Sequence, residues 1–416
     1  MSFTQRKLTV ADLSGSETGP SCRRHRRDAI ATKCATGLLL LLAWMPADQA
    51  RAVTFNDVGI YRTVDQMETW AANLAASRPD LVQMVQYGLS AQNRPLIALH
   101  ITADVAVAHP DRPEFLFTAG IHAREVITSD VAYGLAERLV NGFGTDPAIT
   151  SELQSRDVWI MPMLNPDGRV YVEQGNSFQR KNMQFYPGQS SLTTGVDLNR
   201  NFPHRWSQAS PAVADETYRG PSVLSAPEAS ALWNFVTDPG RFSHLLASID
   251  FHSGAETILR PWTSPSEAAA YPLPAADEAV FSRLTTSLQA ISGLSTDRLG
   301  YDNYGTLVDS LYETLGDYAF TEEIYNGGTF TGDYFSYFNP LNAQAEAAAA
   351  AKGIDSSLYL LSDAAFVVPE PGAVLVIVGL VVLVGQRRPR SPVHRGMTTN
   401  VGGPCFCTAG VVAPPT

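Results

Sequence analysis

Two residues that could share a metal ion follow a short apolar segment. His122 and Glu125 stand just after the apolar residues 114–118 and just before a helical pattern over residues 126–140. This order predicts a turn at the carboxyl end of a strand, where an imidazole and a carboxylate three residues apart can reach one divalent cation. A His-x-x-Glu pair alone is a weak signal, because many surface loops contain two such polar residues. A metal site therefore requires a third ligand from another strand.

His252 is the candidate for that third ligand. It ends the apolar residues 245–251, which we predict to form a buried strand. Apolar strands and helical patterns alternate through residues 53–366. This alternation predicts an α/β fold, a single domain with a mixed, mostly parallel twisted sheet flanked by helices on both faces. Ligands of open α/β sheets bind beyond the carboxyl ends of the strands, so His122 and His252 can converge there.

Charge and cysteine positions restrict the classes of protein that this chain could be. It has 30 Lys and Arg residues against 41 Asp and Glu residues, and its formal net charge at pH 7 is −11. An acidic chain lacks the basic surface that nucleic-acid binding requires, so we expect no nucleic-acid partner. All four cysteines lie outside residues 53–366, and we expect packing and bound metal, rather than disulfides, to stabilise that domain. They are Cys22, Cys34, Cys405 and Cys407.

The N-terminal residues 1–52 are typical of an extension with an export signal peptide. Four arginines within residues 23–27 precede an apolar stretch at residues 35–44, and Ala50-Arg51-Ala52 provides a small-residue cleavage site. The folded domain is then expected to begin at residue 53, outside the cytoplasm.

The C-terminal part of the chain contains a second targeting pattern. Pro369-Glu370-Pro371, an apolar run and Arg387-Arg388 resemble the PEP-CTERM sorting signal of Gram-negative bacteria. For residues 367–390 the resemblance implies a short transmembrane helix that holds the exported protein on the outer side of the inner membrane. An exosortase-type enzyme would then cut it for release or for attachment at the cell surface. We expect residues 391–416 to be a disordered tail.

Three motifs within residues 53–366 resemble those of zinc carboxypeptidases of the carboxypeptidase A type. They are residues 120–128, residues 195–202 and His252-Ser253, and the resemblance extends in collinear order over nearly all of residues 60–360. It implies that His122, Glu125 and His252 bind one Zn²⁺ per chain. It also implies hydrolysis of the C-terminal peptide bond of peptides or proteins, whose C-termini would be the substrate.

The resemblance also implies two catalytic residues. Arg180 matches the arginine that stabilises the oxyanion, and Glu323 matches the general base, since the family's last catalytic stretch fits from Tyr301 to Glu323 without a gap. Strand alternation supports this register, because Glu322 would face the opposite side from Glu323.

Five further residues take substrate-binding or supporting roles by the same resemblance. Asn199 and Arg200 match the pair that binds the terminal carboxylate of the substrate. The others are Arg124 at the substrate, Tyr301 as the tyrosine that closes over it, and Asp197 as the carboxylate that orients the first zinc histidine.

The preferred terminal side chain is predicted from Val308. In the family this position lies at the base of the pocket for that side chain, and valine offers no charge there. An apolar or aromatic end is therefore expected, since an unpaired charge would be costly to bury. Leu259 matches another pocket wall, whereas Glu256 would favour basic ends if it turned inward.

Two other functions remain open from the sequence. A related zinc amidohydrolase could act on cell-wall γ-glutamyl peptides or on N-acyl amino acids with the same metal and base. A non-catalytic zinc-bearing surface protein could bind peptides or polysaccharide, although a general base at Glu323 argues against it.

Overall fold

A seven-stranded sheet forms the centre of residues 52–363, the part of the chain that this computed structural model describes. The strands are β1 Val82–Leu89, β2 Pro95–Ile101, β3 Glu114–Thr118, β4 Asp157–Met161, β5 Leu245–His252, β6 Thr257–Leu259 and β7 Tyr318–Glu323. Their spatial order is β1-β2-β4-β3-β5-β7-β6. The central strands β4, β3, β5 and β7 pair in parallel, and the outer pairings are antiparallel. This is the mixed sheet that the sequence predicts, with its parallel part at the centre.

Helices connect the strands and cover the sheet. They are α1 Phe55–Val58, α2 Val64–Ser77, α3 Ile127–Gly142, α4 Pro147–Ser155, α5 Pro166–Glu173, α6 Pro227–Val236, α7 Pro265–Ala270, α8 Ala275–Ser292, α9 Leu307–Leu315, α10 Tyr334–Phe338 and α11 Ala343–Ser362. Local sequence fixes several starts. At α2, the Thr63 hydroxyl accepts from the Gln66 N–H and the Gln66 side chain accepts from the Thr63 N–H, so two free helix donors are satisfied at once.

The two faces of the sheet pack against different sets of helices. On β3, Phe115 and Phe117 join the core cluster that includes residues of α3 and α11, whereas Leu116 joins the cluster that includes residues of α6 and α9. All three side chains are fully buried, and each contributes roughly 1.5–3 kcal/mol through burial. With helices on both faces, only the ends of the strands are free to form a binding site.

The predicted targeting segments lie outside the described residues. The export signal, the PEP-CTERM-like signal with its short apolar helix and the tail after residue 390 fall on residues 1–51 and 364–416. Within residues 52–363, no helix is both long enough and apolar enough to cross a membrane. The predicted domain boundaries stay predictions.

Candidate active site and metal centre

The candidate residues converge at the carboxyl edge of the parallel strands. His252 is the last residue of β5, Glu323 is the last residue of β7, and the two are paired in register. β3 ends at Thr118, and the turn that follows carries His122 and Glu125 before α3 begins. The parallel direction of these strands therefore brings together residues that are up to 201 positions apart in the chain.

His122, Glu125 and His252 form a group that could hold a metal ion. The Glu125 carboxylate lies between the two rings, with Oε1 2.8 Å from His122 Nδ1 and Oε2 3.1 Å from His252 Nδ1. One donor atom from each residue lies within 4.8 Å of the others, and all three side chains are buried. Two imidazole nitrogens and one carboxylate oxygen are donors that zinc accepts, so this donor set fits one zinc ion.

Carboxylates hold the other nitrogen of each ring. His122 Nε2 lies 3.2 Å from Asp197 Oδ1, and His252 Nε2 lies 2.8 Å from Asp250 Oδ2. Such contacts fix the orientation of a ligand histidine and leave its Nδ1 toward the metal. Asp250 was not predicted, although the Asp-x-His spacing on a strand places both side chains on one face and could have revealed it.

Arg180 brings positive charge to the edge of this group. Its Nε donates to Asp197 Oδ2 at 3.0 Å, and its guanidinium lies 3.7 Å from Glu125 Oε1. Burial alone would raise the pKa of the Asp197 carboxyl, but Arg180, Arg200 and His122 hold that pKa well below its usual value. Asp197 is thus a buried anion that contacts both the first histidine and the predicted oxyanion residue.

A cavity opens beside the metal group. Most of the predicted site residues line it, namely His122, Arg180, Asn199, Arg200, His252, Tyr301 and Glu323. The remaining lining residues include Leu259, Thr263, Leu299, Asn303, Thr306 and Thr321. The cavity thus combines a charged end at the metal group with neutral walls.

Glu323 is the carboxylate that faces the cavity. Burial, reinforced by the negative charge of Glu125, raises the pKa of Glu323 to about 7. Its Oε2 has no hydrogen-bond partner among the described residues. The neighbouring Glu322 is fully buried and absent from the cavity lining, as the alternation along β7 predicts.

Arg200 is a buried cation with only neutral partners. Its guanidinium donates to the Asn199 carbonyl and to Asn303 Oδ1, both at 2.6 Å. Among residues 52–363, no carboxylate oxygen forms an ion pair with it, and its side chain lines the cavity. Asn199 is held beside it, since its Oδ1 accepts from the Leu307 N–H at 2.8 Å. The buried Asp197 carboxylate acts on Arg200 only from beyond ion-pair distance, and a buried guanidinium whose direct partners are all neutral is suited to an anionic ligand.

The structure places Arg124 next to the cavity but directs it elsewhere. Its guanidinium donates twice to the Glu216 carboxylate, at 3.1 Å each, and lies 5.1 Å from the ring centre of Tyr334 and 4.5 Å from that of Phe338. These contacts hold the arginine by charge and by cation–π attraction. Glu216 was not predicted, because nothing in the sequence relates it to residue 124.

Tyr301 and Val308 differ in their surroundings. The Tyr301 side chain lines the cavity and is 56% exposed. Val308 is 1% exposed and belongs to the core cluster that includes residues of α6 and α9. It is not among the residues that line the cavity. Leu259, the other predicted wall, does line the cavity. Glu256 pairs with Lys352 at 2.5 Å instead of turning inward.

Comparison with known proteins adds three findings. The profile of the zinc carboxypeptidase family matches residues 67–341. Rat carboxypeptidase A1 is 30% identical over 293 residues, which are 69% of this chain and 66% of that protein. Mouse carboxypeptidase A2 is 35% identical over 214 residues, 51% of this chain and 49% of that protein. The chain therefore spans just under two thirds of the first relative and about half of the second.

Solved structures agree on the fold. Carboxypeptidase A from Helicoverpa armigera superposes with a TM-score of 0.63 at 22% sequence identity, covering 73% of this chain and 74% of that chain. At this identity the likeness concerns the fold, an α/β domain with a mixed sheet flanked by helices.

Proposed function

The chain belongs to the zinc carboxypeptidase family, and from that membership we propose that it is a zinc-dependent metallocarboxypeptidase. It would hydrolyse the C-terminal peptide bond of peptides or proteins. The observation that carries the proposal is that one cavity holds both Arg200, a buried cation whose hydrogen-bond partners are all neutral, and Glu323, a carboxyl group with one free oxygen beside the metal group. The first is suited to a terminal carboxylate and the second to proton transfer.

His122, Glu125 and His252 would hold the zinc ion. When bound, zinc supplies a Lewis acid that lowers the pKa of water and polarises a carbonyl group. Asp197 and Asp250 keep the two imidazoles oriented through their second nitrogens.

Glu323 would act as the general base. It takes a proton from the attacking water and then passes that proton to the leaving amine. Its position at the end of β7, paired with His252, keeps the carboxylate next to the metal group. The hydrogen bond from the Ala255 backbone leaves one oxygen free for the proton.

Arg180 would stabilise the oxyanion that forms at the scissile carbonyl. A preformed positive charge contributes most where negative charge develops in a site that excludes water. Its contact with Asp197 fixes the guanidinium before the substrate binds.

Asn199 and Arg200 would bind the free carboxylate of the substrate, which makes the enzyme an exopeptidase. Arginine can form two parallel charge-assisted hydrogen bonds to a carboxylate. Tyr301 would close over the bound end. Arg124 would contact the substrate only if it exchanged its contact with Glu216.

We further propose a preference for apolar or aromatic C-terminal residues. Leu259 and Leu299, together with Thr263, Thr306 and Thr321, give the cavity neutral walls. The support thus comes from Leu259 more directly than from Val308.

The cellular location of the protein is proposed from the sequence alone. The export signal and the PEP-CTERM-like signal would place the catalytic domain on the outer side of the inner membrane, and an exosortase-type enzyme would then process it. Cell fractionation should show a membrane-associated precursor and a shorter product that lacks the C-terminus. A purely cytoplasmic full-length protein would contradict this location.

A panel of peptides tests the activity. The zinc-loaded protein should cleave peptides with a free C-terminal carboxylate and leave matched C-terminally amidated peptides intact. The same panel should contain a γ-glutamyl peptide and an N-acyl amino acid, since preferential turnover of either would favour the amidohydrolase function. Zinc binding without turnover of any member would favour the non-catalytic function.

A further inference from the structure

Asn303 is the residue that fixes the orientation of Arg200 inside the cavity. Its Oδ1 accepts from the Arg200 guanidinium at 2.6 Å, while its Nδ2 donates to the Tyr301 carbonyl at 3.3 Å. The Asn303 side chain is 4% exposed and lines the cavity. One amide therefore connects the guanidinium to the backbone of Tyr301.

The segment that carries Asn303 is itself held against the segment that carries Arg200. The Gly305 carbonyl accepts from the Phe202 N–H at 3.1 Å, and the Gly305 N–H donates to the His204 carbonyl at 2.8 Å. Gly305 has a φ of +69°, and a Cβ there would lie 2.4 Å from the Arg200 carbonyl oxygen. Only glycine permits this close approach. The amide of Asn303 is thus presented to Arg200 at a fixed position.

The choice of an amide has an electrostatic consequence. An aspartate of the same shape could accept the same hydrogen bond, but it would form a buried ion pair with Arg200 and neutralise the guanidinium. An amide oxygen orients the guanidinium and leaves its charge free for a ligand. Since Arg200 forms no direct ion pair with a carboxylate among the described residues, its guanidinium remains open to direct contact with an anionic ligand in the cavity.

We infer that Asn303 is a positioning residue for the proposed carboxypeptidase: it orients Arg200 for the substrate carboxylate without neutralising it and ties that orientation to the Tyr301 backbone. This inference rests on the proposed function. It concerns binding of the substrate carboxylate rather than the chemical step, so its effect should fall on KM.

The test compares Asn303→Asp and Asn303→Ala in the zinc-loaded full chain, with a peptide that has a free C-terminal carboxylate. Asn303→Asp should raise KM at least about tenfold and change kcat by less than about threefold, because it offers Arg200 a competing carboxylate. Asn303→Ala should raise KM by a smaller factor, roughly threefold, because it loosens the guanidinium but keeps its charge.

Which of the two variants has the higher KM distinguishes this role from a merely structural one. If Asn303 only stabilised the loop, the isosteric aspartate would be the milder change and alanine the harsher one. That order, or a KM for Asn303→Asp equal to that of the unaltered protein, would overturn the inference. If Asn303→Asp does not fold, Asn303→Ala serves as the test, and a KM equal to that of the unaltered protein would then overturn the inference.

Failure of the proposed function has a different signature. In that case the unaltered protein would not cleave free-carboxylate peptides at all, whereas failure of the present inference leaves that activity intact and leaves KM insensitive to the charge at position 303.

Discussion

Glu322 and Glu323 are neighbours on β7, yet their side chains lie in two different regions of the molecule. Glu323 ends the strand in the cavity, near His252, Arg180 and Glu125. Glu322 points to the opposite face, toward the core beneath α11. Neither of its carboxyl oxygens has a hydrogen bond of standard geometry among the described residues, although the Ser356 hydroxyl is close enough to moderate its pKa.

The pKa values of the two glutamates are raised for different reasons. Burial alone raises the pKa of Glu322 to about 8. At Glu323, burial is joined by the charges of Glu125, His252 and Arg180, which act in opposite directions, and the pKa is raised to about 7. The same residue type is thus an inert neutral acid in the core and a candidate base in the cavity, because only the second has charged neighbours and access to a ligand.

The largest expected effect is the loss of the metal. His122→Ala should abolish stoichiometric zinc binding and turnover, because two donors rarely hold zinc. It should also lower the melting temperature, since a bound ion stabilises only the folded state. Metal analysis and thermal unfolding with and without a chelator measure both changes.

A histidine far from the cavity provides the control. His109 lies near Asp157 at the start of β4, and the His109→Gln variant should retain one zinc per chain. Full zinc occupancy in His122→Ala would remove His122 from the ligand set.

The next effect tests the two glutamates directly. Glu323→Gln should keep zinc but reduce kcat by about 10²–10⁴-fold, the usual contribution of a general base. Glu322→Gln should stay within about threefold of the unaltered kcat, since its side chain does not reach the cavity. If Glu322→Gln alone inactivated the enzyme, the assignment of the base would be off by one residue.

A smaller effect concerns the terminal side chain of the substrate. Peptides ending in Leu, Phe or Met should be cleaved at least about tenfold better than those ending in Lys or Arg, about 1.4 kcal/mol in transition-state binding. The physical reason is the neutral wall formed by Leu259 and Leu299. The ratio of kcat/KM values within a matched peptide series measures it.

Two variants show which wall sets this preference. Leu259→Asp should raise the turnover of Lys-ended peptides, because it adds a counter-charge to the cavity lining. Val308→Asp, at a buried core position, should mainly destabilise the fold. If Val308→Asp raised the turnover of Lys-ended peptides and Leu259→Asp did not, Val308 would be the residue that sets the preference. Equal turnover of Leu-ended and Lys-ended peptides by the unaltered protein would refute the preference itself.

Much of the site could be predicted because strand ends are visible in the sequence. His122 and His252 each follow an apolar stretch, and parallel strands bring such positions to one edge. The alternation along β7 likewise distinguished Glu322 from Glu323. The side-chain partners of Arg124 and Arg200 could not be predicted, since Glu216 and Asn303 lie on loops whose paths are determined by tertiary contacts.

Two different limits of sequence analysis appear at α8 and Val308. α8 was not predicted, although its buried Phe281, Leu284 and Leu288 recur at the i, i+3, i+7 spacing of an amphipathic helix, so the signal was present in the sequence. Val308 was predicted at the cavity from the resemblance, but the residue types alone could not show that its side chain is covered by core neighbours.

The last expected effect is a pH dependence of stability that arises from Glu322. Its pKa is about 8 in the folded protein, above the ordinary glutamate value of 4.5, so the folded state binds more protons than the unfolded state between these values. Stability must then fall as pH rises through this window, by at most about 1.4 kcal/mol per pH unit. Glu322→Gln removes the titrating group, so its unfolding free energy should decline less with rising pH than that of the unaltered protein.

Urea unfolding at pH 5.5, 6.5 and 7.5 measures the difference, with Asp355→Asn on the exposed side of α11 as the control. Parallel pH profiles for Glu322→Gln and the unaltered protein would mean that the core carboxyl is not kept neutral, and the contrast with Glu323 would then not rest on burial.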